Sequence, residues 1–364
     1  MFEIVFLVFV SCYFLLLFFV TLGAVKKFPK ISEEELLSVS IIVAARNEED
    51  NILDCMKSLN DLEYPAEKIE IIIVDDHSTD NTGQIISDYI SDKAKFKTII
   101  PSESFGNLKG KANALANAIK VAKGEIILTT DADCVVASAW AKTIASYYTK
   151  DVAFVGGYTT QLERTTFEGM QALDFIYLLT VAAGTINLGK PLSCIGNNMS
   201  YRKSAYDEAG GYEKIPFSVT EDFQVLMAIH NLKKYKIIYP LDVNALVTSK
   251  PCPNVKSLLK QKKRWGVGGL ESDVVGFGIM AIGFVTHIAI LLTPFIFSVV
   301  SLYLSAFKII TDYFFLYPVY RTLNLELRIK HFLAFEVYYI LYVILLPFIV
   351  LPNKKVEWKG REYV

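Results

Sequence analysis

The apolar positions of this chain form two kinds of pattern, unbroken runs at the two ends and short bursts in the middle. Residues 4–25, IVFLVFVSCYFLLLFFVTLGAV, carry no charge, and a helix of that length crosses a hydrocarbon core of about 30 Å. Further apolar stretches occupy 276–296, 299–320 and 331–351, with Lys308 and Asp312 interrupting the middle one. Between the ends, SVSIIVAA (38–45), IEIIIVDD (69–76) and GEIILTTDAD (124–133) are short β-branched runs that stop at polar turns. Helical spacing fills 48–60, 80–92 and 109–122, so strand and helix patterns alternate. Continuously apolar strands in such an alternation predict an α/β fold with a doubly wound, mostly parallel sheet covered on both faces. The predicted organisation is a transmembrane anchor at 1–30, an α/β domain at 38–270, transmembrane or interfacial helices at 271–351 and a basic tail at 352–364.

Composition supports a membrane-bound chain. Hydrophobic residues make up 52% and aromatic residues 13%, and the mean hydropathy of +0.35 is high for a wholly soluble enzyme. A net charge of −1 supplies no bulk field for nucleic acid. The cysteines are scattered and form no C-x-x-C pair, which argues against a disulfide framework or a zinc site. For the first apolar run the alternative is a signal peptide, but the run exceeds the usual ~7–15 apolar residues and lacks a basic leader. Lys26, Lys27 and Lys30 follow it and place the next segment in the cytoplasm. The tail NKKVEWKGREYV is also basic, and three C-terminal crossings after one N-terminal crossing would put it outside. Either two of those segments cross and one lies at the interface, or the tail departs from the charge rule. Segment 172–188, interrupted by Asp174, is too short to span. It is either an interfacial helix lining a lipid site or a core helix.

In a doubly wound sheet ligands bind beyond the carboxyl ends of the strands. Here those ends read RNEE (46–49), DDHSTD (75–80) and DADC (131–134). Neither a Walker loop nor a G-x-G-x-x-G fingerprint lies there. Asp131 and Asp133 are costly to bury unless something positive answers them, and a divalent cation bridging to nucleotide phosphates is the natural candidate. Asp75 and Asp76 are suited to accept hydrogen bonds from a uracil or ribose, while Ser78, Thr79 or Asp80 caps the helix that follows. Glu221 and Asp222 open another helical pattern at 218–230, where the alternative is a Thr220 cap with acids complementing the helix dipole. QKKRWGVGG (261–269) gathers Gln261, Arg264 and Trp265; a lipid-headgroup anchor or an interfacial aromatic belt is the other reading.

Across residues 40–265 the segments SIIVAARNEE, VDDHSTD, KGKANALANAI, DAD, TED and QKKRW occur in that order. Together they resemble the motif set of the inverting nucleotide-sugar glycosyltransferases of family 2, which have the GT-A fold. CIGNNMSYRKSAYDEAGGY (194–212) is similar to the acceptor-side segment of that family. The resemblance implies donor contacts at Ala44, Arg46, Glu48 and Lys111, with Asp75 and Asp76 holding uridine. It implies that Asp131 contacts the nucleotide-sugar and Asp133 ligates Mg or Mn. Asp222, beside Glu221, would be the general base, and Gln261, Arg264 and Trp265 would lie along the donor pyrophosphate and the acceptor. His77 departs from the small residue many members carry and is expected to cap its turn.

The implied activity is transfer of a sugar, with UDP favoured over GDP as carrier, to a lipid hydroxyl by a multi-pass membrane protein with a cytoplasmic catalytic domain. The tail EWKGREY (357–363) resembles that of ceramide glucosyltransferase-like members, and few ionisable groups fall in the apolar segments where they would line a sugar channel. The alternative within the family is a processive polysaccharide synthase. Outside it stand a transporter, which would carry charges inside its spans and repeat symmetry, and a non-catalytic scaffold, which would have lost one of the acids or the Arg-Trp pair.

Overall fold

The computed structural model describes residues 1–105, 108–215, 218, 220–358 and 361–363. It divides into two compact units, one formed by Lys26–Thr160 with Gly189–Lys250 and the other by Met1–Val25, Gln161–Leu188 and Pro251–Val364. The stretch predicted as one domain at 38–270 is therefore shared, because 161–188 and 251–270 group with the long apolar helices.

The first unit is built on strands β1 (Val39–Ala45), β2 (Ile69–Asp75), β3 (Phe96–Ile99), β4 (Ile126–Asp131), β5 (Cys134–Val136), β6 (Val152–Gly156), β7 (Thr159–Gln161), β8 (Met199–Arg202), β9 (Lys236–Ile238) and β10 (Val247–Ser249). Seven of them form one sheet in the order β3-β2-β1-β4-β8-β6-β9, and β5, β10 and β7 form a smaller one. In the large sheet β8 runs antiparallel to both of its neighbours and every other pairing is parallel. Ile41, Ile42, Val43, Ile71, Ile72 and Ile73 are fully enclosed, as continuously apolar strands require. The strand order reverses at β1, with β2 and β3 on one side and β4 on the other, which makes a topological switch point. Register pairs Ala45 with Asp75 and Ala44 with Asp131, so the three strands end flush. The polar turns after them therefore share one edge.

In the second unit five helices are long and apolar enough to cross a membrane: Phe2–Ala24, Thr166–Asn187, Val274–Leu292, Val299–Thr322 and Ile329–Val350. Four of these coincide with the apolar stretches read from the sequence. The fifth starts ahead of the 172–188 segment because Thr165 and Glu168 close a capping box. It is long enough to span, yet β1 to β4 and β6 precede it and β8 and β9 follow it within one sheet. A crossing would put parts of one sheet on opposite sides of a bilayer, so this helix does not span. It is the core helix of its unit, buried along most of its length. Its closest neighbour is the N-terminal helix. A methyl on Gly184 would lie 2.2 Å from the Val20 carbonyl oxygen, and one on Gly23 would lie 2.4 Å from that of Gly184. Only glycine allows the two backbones to approach this closely.

The interior of this unit holds charge, contrary to the expectation drawn from its apolar composition. Lys308 and Asp312 pair at 2.6 Å one helical turn apart, and Lys308 reaches Glu336 on the next helix at 2.8 Å. Tyr13 donates a hydrogen bond to Asp312 at 2.7 Å, and its oxygen lies 2.6 Å from that of Tyr177. His287 packs edge-on against Tyr13 and Tyr339. One network thus draws a residue from each of the five helices. The charges a transporter would place in its spans are present, but they are paired with one another and sealed by aromatic rings. Removing one partner leaves an uncompensated buried charge. Lys308→Met is expected to cost about 3–5 kcal/mol of stability, and replacing Lys308, Asp312 and Glu336 together by apolar residues is expected to be nearly neutral or stabilising. Thermal unfolding of the detergent-solubilised variants measures both.

Candidate active site

The turn after β1 and the turn after β2 are built as an interlocked pair. Each begins with a left-handed residue, Asn47 at φ 53° and His77 at φ 55°, a conformation that costs an L-residue energy and that Asn and His tolerate better than most. The carbonyls this conformation turns aside are gathered by Arg46, whose Nη1 donates to the carbonyls of Asp76 (2.6 Å) and His77 (3.1 Å). Asn47 accepts from the Thr79 amide at 2.8 Å, Thr82 accepts from the Glu48 amide at 2.8 Å, and Asp80 accepts from the amides of Glu49 and Thr82. Asp80 is thus the residue that covers the start of the Thr82–Ile90 helix. His77 serves the turn through its backbone, and its side chain is exposed. Asp75 accepts from the Ser78 amide at 2.9 Å, which fixes its carboxylate at the strand end. Asp76 is buried and Ala44 and Glu48 are half-buried.

The carboxylates after β4 have a protein cation beside them. Gly110 takes φ 55° and ψ −133°, open to glycine alone, and turns the chain into the Lys111–Val121 helix. Lys111 thereby stands at the first turn of that helix and meets Asp131 at 2.5 Å and Glu221 at 3.6 Å. Burial opposes the charge on Lys111, but Asp131, Glu221 and Asp222 outweigh it and hold the ammonium well above the ordinary lysine value. Glu221 and Asp222 begin the Glu221–Asn231 helix. Thr220 occupies the cap position without a side-chain cap bond, and Asp222 Oδ1 accepts from the Phe223 amide at 2.8 Å. A methyl built on Gly196 would lie 3.4 Å from both Asp222 Oδ2 and Lys111 Nζ. Gly196 therefore brings the backbone against Asp222 and the lysine.

The structure accordingly brings Lys111, Asp131, Glu221 and Asp222 into one cluster at the edge where Ala45 and Asp75 end their strands. The lysine's contact with Asp131 was not legible in the sequence, since the two lie on separate elements. Among the described residues no group of three or more His, Cys, Asp or Glu side chains is arranged to hold a metal. Asp131 and Asp133 offer two hard carboxylates, one oxygen of Asp131 being paired with Lys111, and so small a donor set suits a cation that completes its shell with substrate phosphates and water. Two thiols sit behind them. Burial, and then Asp133 and Asp131, push Cys55 and Cys134 up, so neither is a nucleophile. Gln261, Arg264 and Trp265 belong to the other unit, on its Val255–Gly269 helix.

The sequence profile described as glycosyl transferase family 2 matches residues 40–210, and that of glycosyl transferase family group 2 matches 126–351. The chain belongs to glycosyltransferase family 2. This family 2 chain is 30% identical over 264 residues to a beta-monoglucosyldiacylglycerol synthase of Nostoc sp., a match covering 69% of the chain and 53% of that relative. It is 28% identical over 246 residues to a poly-beta-1,6-N-acetyl-D-glucosamine synthase of Staphylococcus epidermidis, covering 66% of the chain and 57% of that relative. The chain thus spans little more than half the length of the relatives it matches. A mannosyltransferase of Pyrobaculum calidifontis, solved in complex with GDP-Man and Mn2+, superposes with a TM-score of 0.58 at 16% identity over 94% of this chain and 97% of that one. The fold is GT-A.

Lys111→Met is expected to lower stability by about 1–2 kcal/mol, between the values for exposed and buried pairs. Because the lysine is raised in the fold, its contribution is complete below the ordinary lysine pKa of about 10.4 and is lost as pH climbs through the folded value. The gap between wild type and variant in urea titrations should therefore be flat from pH 6 to 9 and close only above about 10.4. Iodoacetamide at pH 8 should leave Cys55 and Cys134 unmodified in the folded protein and label them after denaturation, as peptide mass mapping would show.

Proposed function

We propose that this family 2 chain is a membrane-bound inverting glycosyltransferase that moves one sugar from a nucleoside-diphosphate sugar to a lipid hydroxyl. The observation that carries the reading is the cluster of Asp222, Glu221, Lys111 and Asp131 at the carboxyl edge of a switch-point sheet. A sugar donor bound at that edge needs a cation for its diphosphate and a base for the incoming hydroxyl. Asp222 takes the acceptor proton, with Oδ1 held by the Phe223 amide and Oδ2 turned toward Gly196. The hydroxyl oxygen attacks the anomeric carbon as the bond to the diphosphate breaks, and the nucleoside diphosphate departs with the electron pair from the opposite face. Asp131 and Asp133 would hold the Mg or Mn that neutralises the departing diphosphate. Asp75 and Asp76 would bind the nucleoside, and Ala44 and Glu48 would line the same edge. Arg46 would act on the donor indirectly, by fixing the two turns. Gln261, Arg264 and Trp265 keep the pyrophosphate and acceptor role the motif implies.

The lipid acceptor is supported by the monoglucosyldiacylglycerol synthase relative. It is also supported by the long helices of the second unit, whose interior is filled by the Tyr13–Tyr177–Asp312–Lys308 network. A second reading, polymer synthesis, is favoured by the poly-N-acetylglucosamine synthase relative. In either case the lysines after the first helix favour a cytoplasmic sheet unit.

The test is release of nucleoside diphosphate by the detergent-purified chain over a panel of UDP- and GDP-sugars with native lipid extract, with and without Mg or Mn, followed by product mass. A metal-dependent gain of one sugar mass on a lipid is expected, and a ladder of masses would replace this reading by the polymer one. Asp222→Asn and Asp133→Asn should each lower turnover by about 10²–10⁴-fold, and near wild-type activity in Asp222→Asn would remove the base assignment.

A further inference from the structure

The Q-x-x-R-W pattern leaves its two central positions open, and in this chain Lys262 and Lys263 occupy them. Lys262 is the enclosed one. It is 2% exposed, as deeply buried as Leu258 one turn away at 3%, whereas Gln261, Lys263, Arg264 and Trp265 are half-buried. An ammonium so placed cannot reach a lipid headgroup and is costly unless paired. Its partner is Asp174 of the Thr166–Asn187 helix, itself 1% exposed.

The same ammonium lies 4.4 Å from the ring centroid of Trp265 and 5.1 Å from that of Tyr342, within the range of cation–π attraction. Phe175, next to Asp174, stacks on Trp265 with centroids 5.6 Å apart and planes 10° apart. Gln171, one turn before Asp174, exchanges two hydrogen bonds with the backbone of Cys252, accepting from its amide (2.9 Å) and donating to its carbonyl (3.1 Å). Thus the Thr166–Asn187 helix grips the motif helix by an ion pair and a ring stack, and grips the chain leading into it by a backbone clamp.

We propose that Asp174 and Lys262 are positioning residues for the Q-x-x-R-W segment, acting through Trp265. Asp174 fixes the Lys262 ammonium, the ammonium and Phe175 fix the indole, and the indole sets the rotation of the helix that carries Gln261 and Arg264. The aspartate that interrupts the apolar run at 172–188 is there for this purpose. The role rests on the family 2 reading of Gln261, Arg264 and Trp265 as functional.

The experiment uses the whole chain described above in detergent with Asp174→Asn, Lys262→Met, Lys262→Arg, Asp222→Asn and, as spectroscopic reference, Trp265→Phe. The Trp265 emission is taken by difference from the reference, folding is followed by thermal melts, and kcat and KM are measured with the UDP- and GDP-sugar panel and native lipid extract. Asp174→Asn and Lys262→Met are expected to change the Trp265 emission and lower kcat by about 10²-fold at unchanged donor KM, the scale of a 1 Å misplacement. Lys262→Arg is expected to recover most of both signals. An unchanged Trp265 emission in both variants, or a kcat loss that only follows the loss of folded protein, overturns the proposal. If Asp222→Asn is inactive while Lys262→Met is fully active, the positioning role alone fails. If Asp222→Asn stays active, or no donor is turned over by the wild type, the underlying catalytic reading fails and the role with it.

Discussion

A carboxylate at the end of a buried strand is costly unless a positive charge or hydrogen-bond donors answer it, and the sheet unit supplies such partners at its carboxyl edge. Asp131 ends β4 beside the switch point, and Lys111 supplies the charge from the first turn of a neighbouring helix. The left-handed Gly110 delivers the lysine to that place. Glu221 then joins the same ammonium from a third element. The acids can therefore be concentrated at one edge without mutual repulsion driving them apart, because their charge is already partly balanced.

The edge is also held rigid by its backbone. Two successive strands end in left-handed residues, and Arg46 binds the carbonyls exposed by the second. Because Ala45 and Asp75 are in register, the two turns face each other closely enough for Asn47, Glu48, Thr79 and Thr82 to exchange hydrogen bonds. A residue such as His77, unusual in the motif, is accommodated because the turn uses its backbone and leaves its ring exposed.

The helical unit solves the same electrostatic problem with less water available. Lys308 serves Asp312 and Glu336, and Lys262 serves Asp174. In both cases a lysine from one helix satisfies a carboxylate of another and aromatic rings close the remaining space. Such pairs contribute little net stability compared with apolar packing. What they add is orientation, since only one rotation of each helix brings the partners together.

The sequence by itself determined the local elements that depend on short-range pattern. The runs 38–45, 69–76 and 124–133 became Val39–Ala45, Ile69–Asp75 and Ile126–Asp131, and 80–92 and 109–122 became Thr82–Ile90 and Lys111–Val121, because β-branched bursts and helical spacing act over a few residues. The four apolar stretches near the termini are similarly matched by helices that differ by a few residues at their ends. The ordered motifs also pointed to the family, since the polar residues at strand ends are local text. The short strand Lys236–Ile238 was not legible, because pairing with β6 makes it a strand and its own composition does not. Nor was the length of the Thr166–Asn187 helix, or that it is a core element, since that follows from the sheet strands on either side of it. Only the tertiary structure decided which cation answers which acid. Lys111 and Asp131, Lys262 and Asp174, and Lys308 and Glu336 lie far enough apart in the chain that only packing brings them within Coulombic reach.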